Sequence, residues 1–249
     1  MGVPLSPFPA SSPSNDRGYS LAPSASSGVI GGRRVHALLF DLDGTLVETD
    51  DRAVAALARR LAWVAPLLPG RDPHRAARRL AMWSHDGLYT GLAWLDRLSL
   101  DAVVRRGLGR LRRAEAAASP RYVPVAGASD MLRHLSARYP IGIVSTRRAA
   151  DVWAYLAQED LEEAVTVVVG ADTTRRLKPH PEPVLWAAAS LGLKPSQVAM
   201  VGDTAADVAS ARAAGAVAVA VLCGFGEPHD FRQADLVLRT TAELERWLA

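Results

Sequence analysis

Val35-His36-Ala37-Leu38-Leu39-Phe40-Asp41-Leu42-Asp43-Gly44-Thr45-Leu46-Val47 is the stretch on which the fold turns. Its apolar run stops abruptly at two carboxylates spaced two residues apart, followed by Gly-Thr. A short apolar run bounded by a turn signal reads as a strand buried on both faces, the kind found at the centre of a parallel sheet. Residues i and i+2 of a strand project to the same side, so Asp41 and Asp43 are expected to address one point beyond its carboxyl end. Open α/β sheets hold their ligands at that edge. Two acids so close repel each other, and folding alone supplies no reason for the pair; a cation between or beside them would. The plain alternative is a polar loop after a strand, with Asp43-Gly44 as its turn.

Downstream, the pattern alternates from Val123 onward. Helices are expected over 130–139, 147–158, 181–191 and 205–214, with a last one from about Thr241. Strands are expected over 141–144, 166–169, 198–201, 216–222 and 235–238. Strands alternating with helices imply a parallel sheet with right-handed crossovers. The expected fold is therefore α/β, a doubly wound parallel-sheet core made of residues 33–49 and 121–249. Between these segments, residues 50–120 carry apolar residues at helical spacing and no strand signal, which makes an inserted all-helical domain. Its aromatics Trp63, Trp83, Tyr89 and Trp94 suit packing between helices, and its many arginines suit a solvated face. The turn Trp83-Ser84-His85-Asp86-Gly87 offers His85 as a substrate-contact candidate. Upstream, residues 1–32 are rich in Ser, Pro, Gly and Ala, lack periodicity and read as a disordered tail. They lack the basic start and continuous apolar core of a signal peptide.

Composition excludes several classes. The chain has 249 residues, of which 49% are hydrophobic and 22% charged, enough for one large globular domain or two small ones. With 29 basic and 26 acidic residues it lacks the concentrated positive charge of nucleic-acid binders. The longest apolar run, Ala213 to Phe225, is broken by glycine and too short to cross a bilayer. One cysteine, Cys223, excludes an intrachain disulfide framework and fits a reducing compartment, so a cytoplasmic location is expected. Lysine occurs only at 178 and 194 among a large excess of arginine. Arginine clusters are thus weak signals here, and a well-placed lysine is a stronger one.

Three later stretches each end a strand or open a helix with chemistry-bearing residues. Ile141-Gly142-Ile143-Val144-Ser145-Thr146 ends in hydroxyls that could simply cap the next helix. Lys178 in Leu177-Lys178-Pro179-His180-Pro181 sits just before a helix start, where it opposes the helix dipole. Met200-Val201-Gly202-Asp203-Thr204-Ala205-Ala206-Asp207 puts one carboxylate at a strand end and a second four residues on. Thr204 and Asp207 match a capping box, which leaves Asp203 without a structural reason.

Phe-Asp-Leu-Asp-Gly-Thr-Leu at 40–46 resembles the first motif of the haloacid dehalogenase superfamily in its phosphatase branch. Ser145, Lys178 in the form Lys-Pro-x-Pro, and Asp203 with Asp207 match the three later motifs in order. The Lys-Pro-x-Pro form and the end of the chain are similar to the phosphoglycolate phosphatase-like branch, and residues 50–120 resemble its C1-type helical cap. Thr146 departs from the Asn often found at that position.

The resemblance implies a magnesium-dependent phosphomonoesterase acting on a small phosphorylated metabolite, with no nucleic-acid or membrane partner. It implies Asp41 as nucleophile, Asp43 as general acid and base, and Ser145, Thr146 and Lys178 as phosphate-binding residues. Mg²⁺ would take the Asp41 carboxylate, the Asp43 backbone carbonyl and Asp203, with Asp207 in support. Asp43 sets the chain apart from haloacid dehalogenases proper, whose halide leaves without a proton. The absence of lysine from residues 50–120 sets it apart from phosphonatases, which need one for a Schiff base. A sugar-phosphate mutase of the β-phosphoglucomutase kind, a pyrophosphatase or nucleotidase, and a non-enzymatic phospho-ligand-binding protein share the motifs and stand as alternatives.

Overall fold

The structure, a computed structural model, describes residues 28–48, residue 59 and residues 122–248. Most of the expected helical insert, with Trp63, Trp83, His85, Tyr89 and Trp94, lies outside the described residues, as does the tail up to residue 27.

A short antiparallel hairpin, β1 (Gly28–Ile30) and β2 (Arg33–Val35), precedes the main sheet. Six strands form that sheet: β3 (Ala37–Phe40), β4 (Ile141–Val144), β5 (Val167–Val169), β6 (Val198–Gly202), β7 (Val217–Val221) and β8 (Leu236–Leu238). All neighbours are parallel, in the spatial order β5-β4-β3-β6-β7-β8. Winding runs outward from β3 through β4 to β5, then returns to the other side of β3 at β6. The crevice beyond the carboxyl ends of β3 and β6 is thus the topological switch point, where open α/β sheets bind ligands.

Period-two alternation divides the core into two layers. Leu38 and Phe40 of β3 face one side with Ala199, Val201, Val217 and Val219. That side is covered by helices α1 (Ala128–Ser136) and α2 (Ala149–Gln158) and, at the chain end, α5 (Leu244–Leu248). Ala37 and Leu39 face the other side with Val198, Met200 and Ala218, beneath α3 (Glu182–Ser190) and α4 (Ala205–Ala214). Every residue of β3 is buried, so each large side chain there contributes about 1.5–3 kcal/mol of burial. Strands buried on both faces have no polar side, which is why the sequence shows them as continuous apolar runs.

The tail boundary differs from the sequence expectation. Residues 28–32, assigned to the disordered tail, form β1 and its turn instead. Gly31 and Gly32 adopt positive φ (56° and 75°), which a tight two-residue connection requires. Ile30 is then buried in the core layer beneath the sheet. Two glycines between Val29-Ile30 and Arg33-Arg34-Val35 are a hairpin signal masked by the Ser/Gly-rich residues around them.

The chain leaves the core beside the point at which it re-enters. The Glu48 N–H donates to the Val123 carbonyl (2.8 Å) and the Val125 N–H donates to the Leu46 carbonyl (2.8 Å), around a Val47–Pro124 antiparallel bridge. The residues between Glu48 and Tyr122 are therefore an insertion at a single place, next to the end of β3. Among the described residues no helix is long and apolar enough to cross a membrane.

Tyr139 is fully buried, and its hydroxyl has no hydrogen-bond partner among the described residues. An unpaired buried hydroxyl is destabilising by about 1–3 kcal/mol. Tyr139→Phe is therefore expected to raise unfolding stability by about 1 kcal/mol in urea titration; a loss of stability would show that the hydroxyl is satisfied.

Candidate active site

Four strand ends and the loops after them build the site at the switch point. Asp41 follows β3, Ser145 follows β4, Asp203 follows β6, and Lys178 comes from the connection between β5 and α3. All four are buried, as is Asp207 in the first turn of α4. Lys178 is only 6% exposed and is therefore not a solvated loop lysine.

Lys178 is the electrostatic centre. Its Nζ lies 2.7 Å from Asp41 Oδ1 and 2.6 Å from Asp207 Oδ1, and donates to the Val144 carbonyl at 3.0 Å. Burial works to lower the lysine's proton affinity, but Asp207 and Asp41 outweigh it and the net shift is upward, so the ammonium is held charged. The Asp41 carboxyl is pushed up to about 7, by burial first, against which Lys178 pulls down while Asp207 pushes further up. Asp203 is pushed well above the usual carboxylate range by burial and then by Asp41 and Asp207.

Asp203 is held from three sides. Its Oδ2 accepts from the Phe225 N–H (2.7 Å), its Oδ1 accepts from the Thr45 hydroxyl (3.3 Å), and its carbonyl accepts from the Gly226 N–H (2.9 Å). Room for this carboxylate depends on Gly44 and Gly224, where a Cβ would overlap the Asp203 carboxylate; Gly44 also needs positive φ, 77°. Asp207 serves α4 and the site at once. Its Oδ2 accepts from the Thr204 N–H (3.0 Å) and hydroxyl (2.6 Å), and its own N–H donates back to Thr204 Oγ1 (3.3 Å), completing the capping box. Its Oδ1 is left to Lys178.

Carboxylate oxygens from Asp41, Asp203 and Asp207 all lie within 4.8 Å of one another. Three buried acids face one ammonium; burial, and then repulsion from the neighbouring acids, pushes Asp41 and Asp203 upward. Hard oxygen donors in excess of their own counter-charge fit a divalent cation.

The strand argument for Asp43 is corrected by the geometry. β3 ends at Phe40, and the Leu42 carbonyl accepts from the N–H groups of Leu46 (2.9 Å) and Val47 (2.9 Å), so Asp41 to Val47 is a tight loop to which strand periodicity does not apply. The Asp43 carboxylate consequently does not join the acid cluster. Its Oδ2 accepts from Arg147 Nε and its Oδ1 from Arg147 Nη2, each at 2.7 Å. The Ser145 hydroxyl, buried beside the acids, accepts from the Arg147 N–H (3.1 Å), while Thr146 is half-buried in the same turn. Neither hydroxyl caps α2, whose Ala149 N–H donates to Asp172 (2.9 Å) instead. His85 lies outside the described residues.

Sequence reasoning missed Arg147 and Thr45. Arg147 was hidden by the arginine-rich composition, although its place two residues after Ser145 was a usable signal. Thr45 stood inside the quoted stretch, but its tie to Asp203 crosses 158 residues of sequence.

A family model described as a hydrolase, haloacid dehalogenase-like hydrolase, matches residues 35–215. The chain is 33% identical over 215 residues to a phosphoglycolate phosphatase of Chromobacterium violaceum, covering 85% of this chain and 96% of that one. A haloacid dehalogenase-like family hydrolase from Streptococcus pneumoniae superposes with a TM-score of 0.62 at 23% identity, covering 86% of this chain and 99% of that one. A β-phosphoglucomutase from Clostridium difficile superposes at 0.57 with 19% identity, covering 84% and 93%. Strands β3 to β6, the switch-point acids and the buried lysine all lie within the family match, and the chain belongs to the haloacid dehalogenase-like hydrolases.

Proposed function

We propose that the protein is a magnesium-dependent phosphomonoesterase that cleaves a small phosphorylated metabolite through an aspartyl-phosphate on Asp41. The observation that carries this reading is the buried cluster of Asp41, Asp203, Asp207 and Lys178 at the switch point. Similarity to a phosphoglycolate phosphatase supports 2-phosphoglycolate as the first substrate to test.

Phosphoryl transfer requires an in-line nucleophile, neutralised phosphoryl oxygens and a proton for the leaving oxygen. Asp41 attacks phosphorus, forming the Asp41 Oδ–P bond as the ester P–O bond breaks. Lys178 and Ser145, with Thr146 beside them, bind the phosphoryl oxygens. Asp43 gives a proton to the leaving alkoxide, then removes one from the water that hydrolyses the intermediate. Asp41 and Asp203, with the Asp43 carbonyl and support from Asp207, would hold Mg²⁺, which supplies charge neutralisation for the acids and the phosphoryl group. Residues 50–120, inserted between Glu48 and Tyr122, act as the cap that excludes water and selects the substrate, with His85 as a contact.

Phosphate release from p-nitrophenyl phosphate tests the reading. Turnover is expected with Mg²⁺ and not with EDTA, and Asp41→Asn is expected to abolish it. Folded, Mg²⁺-loaded protein without turnover on this ester or on 2-phosphoglycolate would sink the phosphatase reading and turn attention to a sugar-phosphate mutase or a phospho-ligand-binding protein.

The raised Asp41 carboxyl gives an independent test. A carboxyl whose folded value exceeds its ordinary 3.8 favours the folded state fully below that value and loses the contribution as pH rises through about 7. In EDTA, the melting temperature of Asp41→Asn minus that of wild type should therefore grow between pH 4 and 7, and Mg²⁺ should shrink the gap at pH 8. A pH-independent difference would contradict the electrostatic account.

A further inference from the structure

Arg147 is the strongest feature that the proposed chemistry leaves without a role. Its Nε and Nη2 grip both oxygens of Asp43, each at 2.7 Å, in the bidentate fork that guanidinium groups form with carboxylates. The side chain is 33% exposed, and the Asp43 side chain 20%. The fork is fixed from behind. The guanidinium carbon sits 5.5 Å from the centroid of the Tyr122 ring, which packs edge-on against Tyr155 at 5.7 Å. The Tyr122 backbone is pinned in both directions by Gln158, whose Oε1 accepts from its N–H (3.0 Å) and whose Nε2 donates to its carbonyl (2.7 Å). The Tyr122 hydroxyl donates to the Asp151 carbonyl (3.2 Å). Arg147 is thus a prebuilt carboxylate receptor, set two residues after Ser145 and filled by one of the protein's own acids.

With both oxygens engaged by Arg147 and its carboxylate outside the acid cluster, Asp43 is not poised to protonate a leaving-group oxygen. On the phosphomonoesterase reading, it must leave the fork for each turnover. That departure strips a half-buried guanidinium of its counter-charge, a loss that an anion on the substrate would offset. We propose that Arg147 is a positioning and specificity residue: it parks Asp43 while the site is empty, and it accepts a carboxylate on the substrate's leaving group, which releases Asp43 to work. The substrate class is then a phosphate monoester whose alcohol carries a carboxylate close to the ester oxygen. Esters of neutral alcohols give the fork nothing in exchange and must break the Arg147–Asp43 pair unaided.

The test compares 2-phosphoglycolate with 2-hydroxyethyl phosphate, which replaces the carboxylate by a neutral alcohol, both with saturating Mg²⁺. Wild type should prefer 2-phosphoglycolate. In Arg147→Ala, kcat/KM for 2-phosphoglycolate should fall about 10- to 100-fold, chiefly through KM, the loss expected for a charge-assisted pair. The kcat for 2-hydroxyethyl phosphate should rise, because Asp43 is no longer parked. Arg147→Lys keeps the charge without the fork and should recover only part of the preference; if the alanine variant does not fold, the lysine variant carries the same comparison. An equal fall on both esters, or an unchanged preference, would overturn the role of Arg147 while leaving the phosphatase intact. Wild type inactive on both esters overturns the phosphatase reading itself, and this inference with it.

Discussion

Lys178 sits between Asp41 and Asp207, 2.7 Å and 2.6 Å from them, with almost no exposure to water. A buried charge is tolerated only when it is paired, and removing one partner of such a pair commonly costs several kcal/mol. Each partner reaches the lysine by a different route through the fold. Asp41 directly follows the central strand, Asp207 opens α4 through its capping box with Thr204, and the Val144 carbonyl ends the neighbouring strand. The ammonium thereby ties β3, β4 and α4 to one point. Their relative placement is set by the six-stranded sheet, so the electrostatics of the site and the packing of the core are one constraint seen from two ends. The third acid, Asp203, feels the lysine's charge but is held by backbone and hydroxyl donors, with glycines at 44 and 224 leaving it room.

Much of this was legible in the sequence because buried parallel strands leave a distinctive trace. Val198 to Gly202 and Val217 to Val221 are buried at every position, and both appear as apolar runs cut off by glycine or acid. Helix α4 was legible at both ends, from the Thr204–Asp207 capping box to Gly215 at positive φ (79°). What stayed hidden was contact across long sequence separation. The pairing of Arg147 with Asp43 spans 104 residues, and periodicity carries no information about it. The hairpin at 28–35 was overlooked for a different reason: its two-glycine turn looks like the low-complexity sequence before it, and only the burial of Ile30 distinguishes them.

Asp41 and Asp43 illustrate how a correct motif can rest on an incorrect geometric reason. Their shared spacing suggested one face of a strand, yet the strand ends before either acid and the loop turns them apart. One carboxylate is buried against Lys178 and the other is drawn out to Arg147. On the mechanism proposed above, such different surroundings suit the separate tasks of nucleophile and proton carrier.

The paired exit and return of the chain at Leu46 to Glu48 and Val123 to Val125 has an evolutionary consequence. Because the two ends of the insertion are hydrogen-bonded to each other, the core experiences that segment as a loop already closed, whatever its length. Closure entropy grows only slowly with loop length, so segments of very different size can be exchanged at this neck at small cost to the core. On the cap reading proposed above, a lineage with this architecture is free to swap the part of the molecule that meets new compounds while the part that breaks bonds is inherited unchanged.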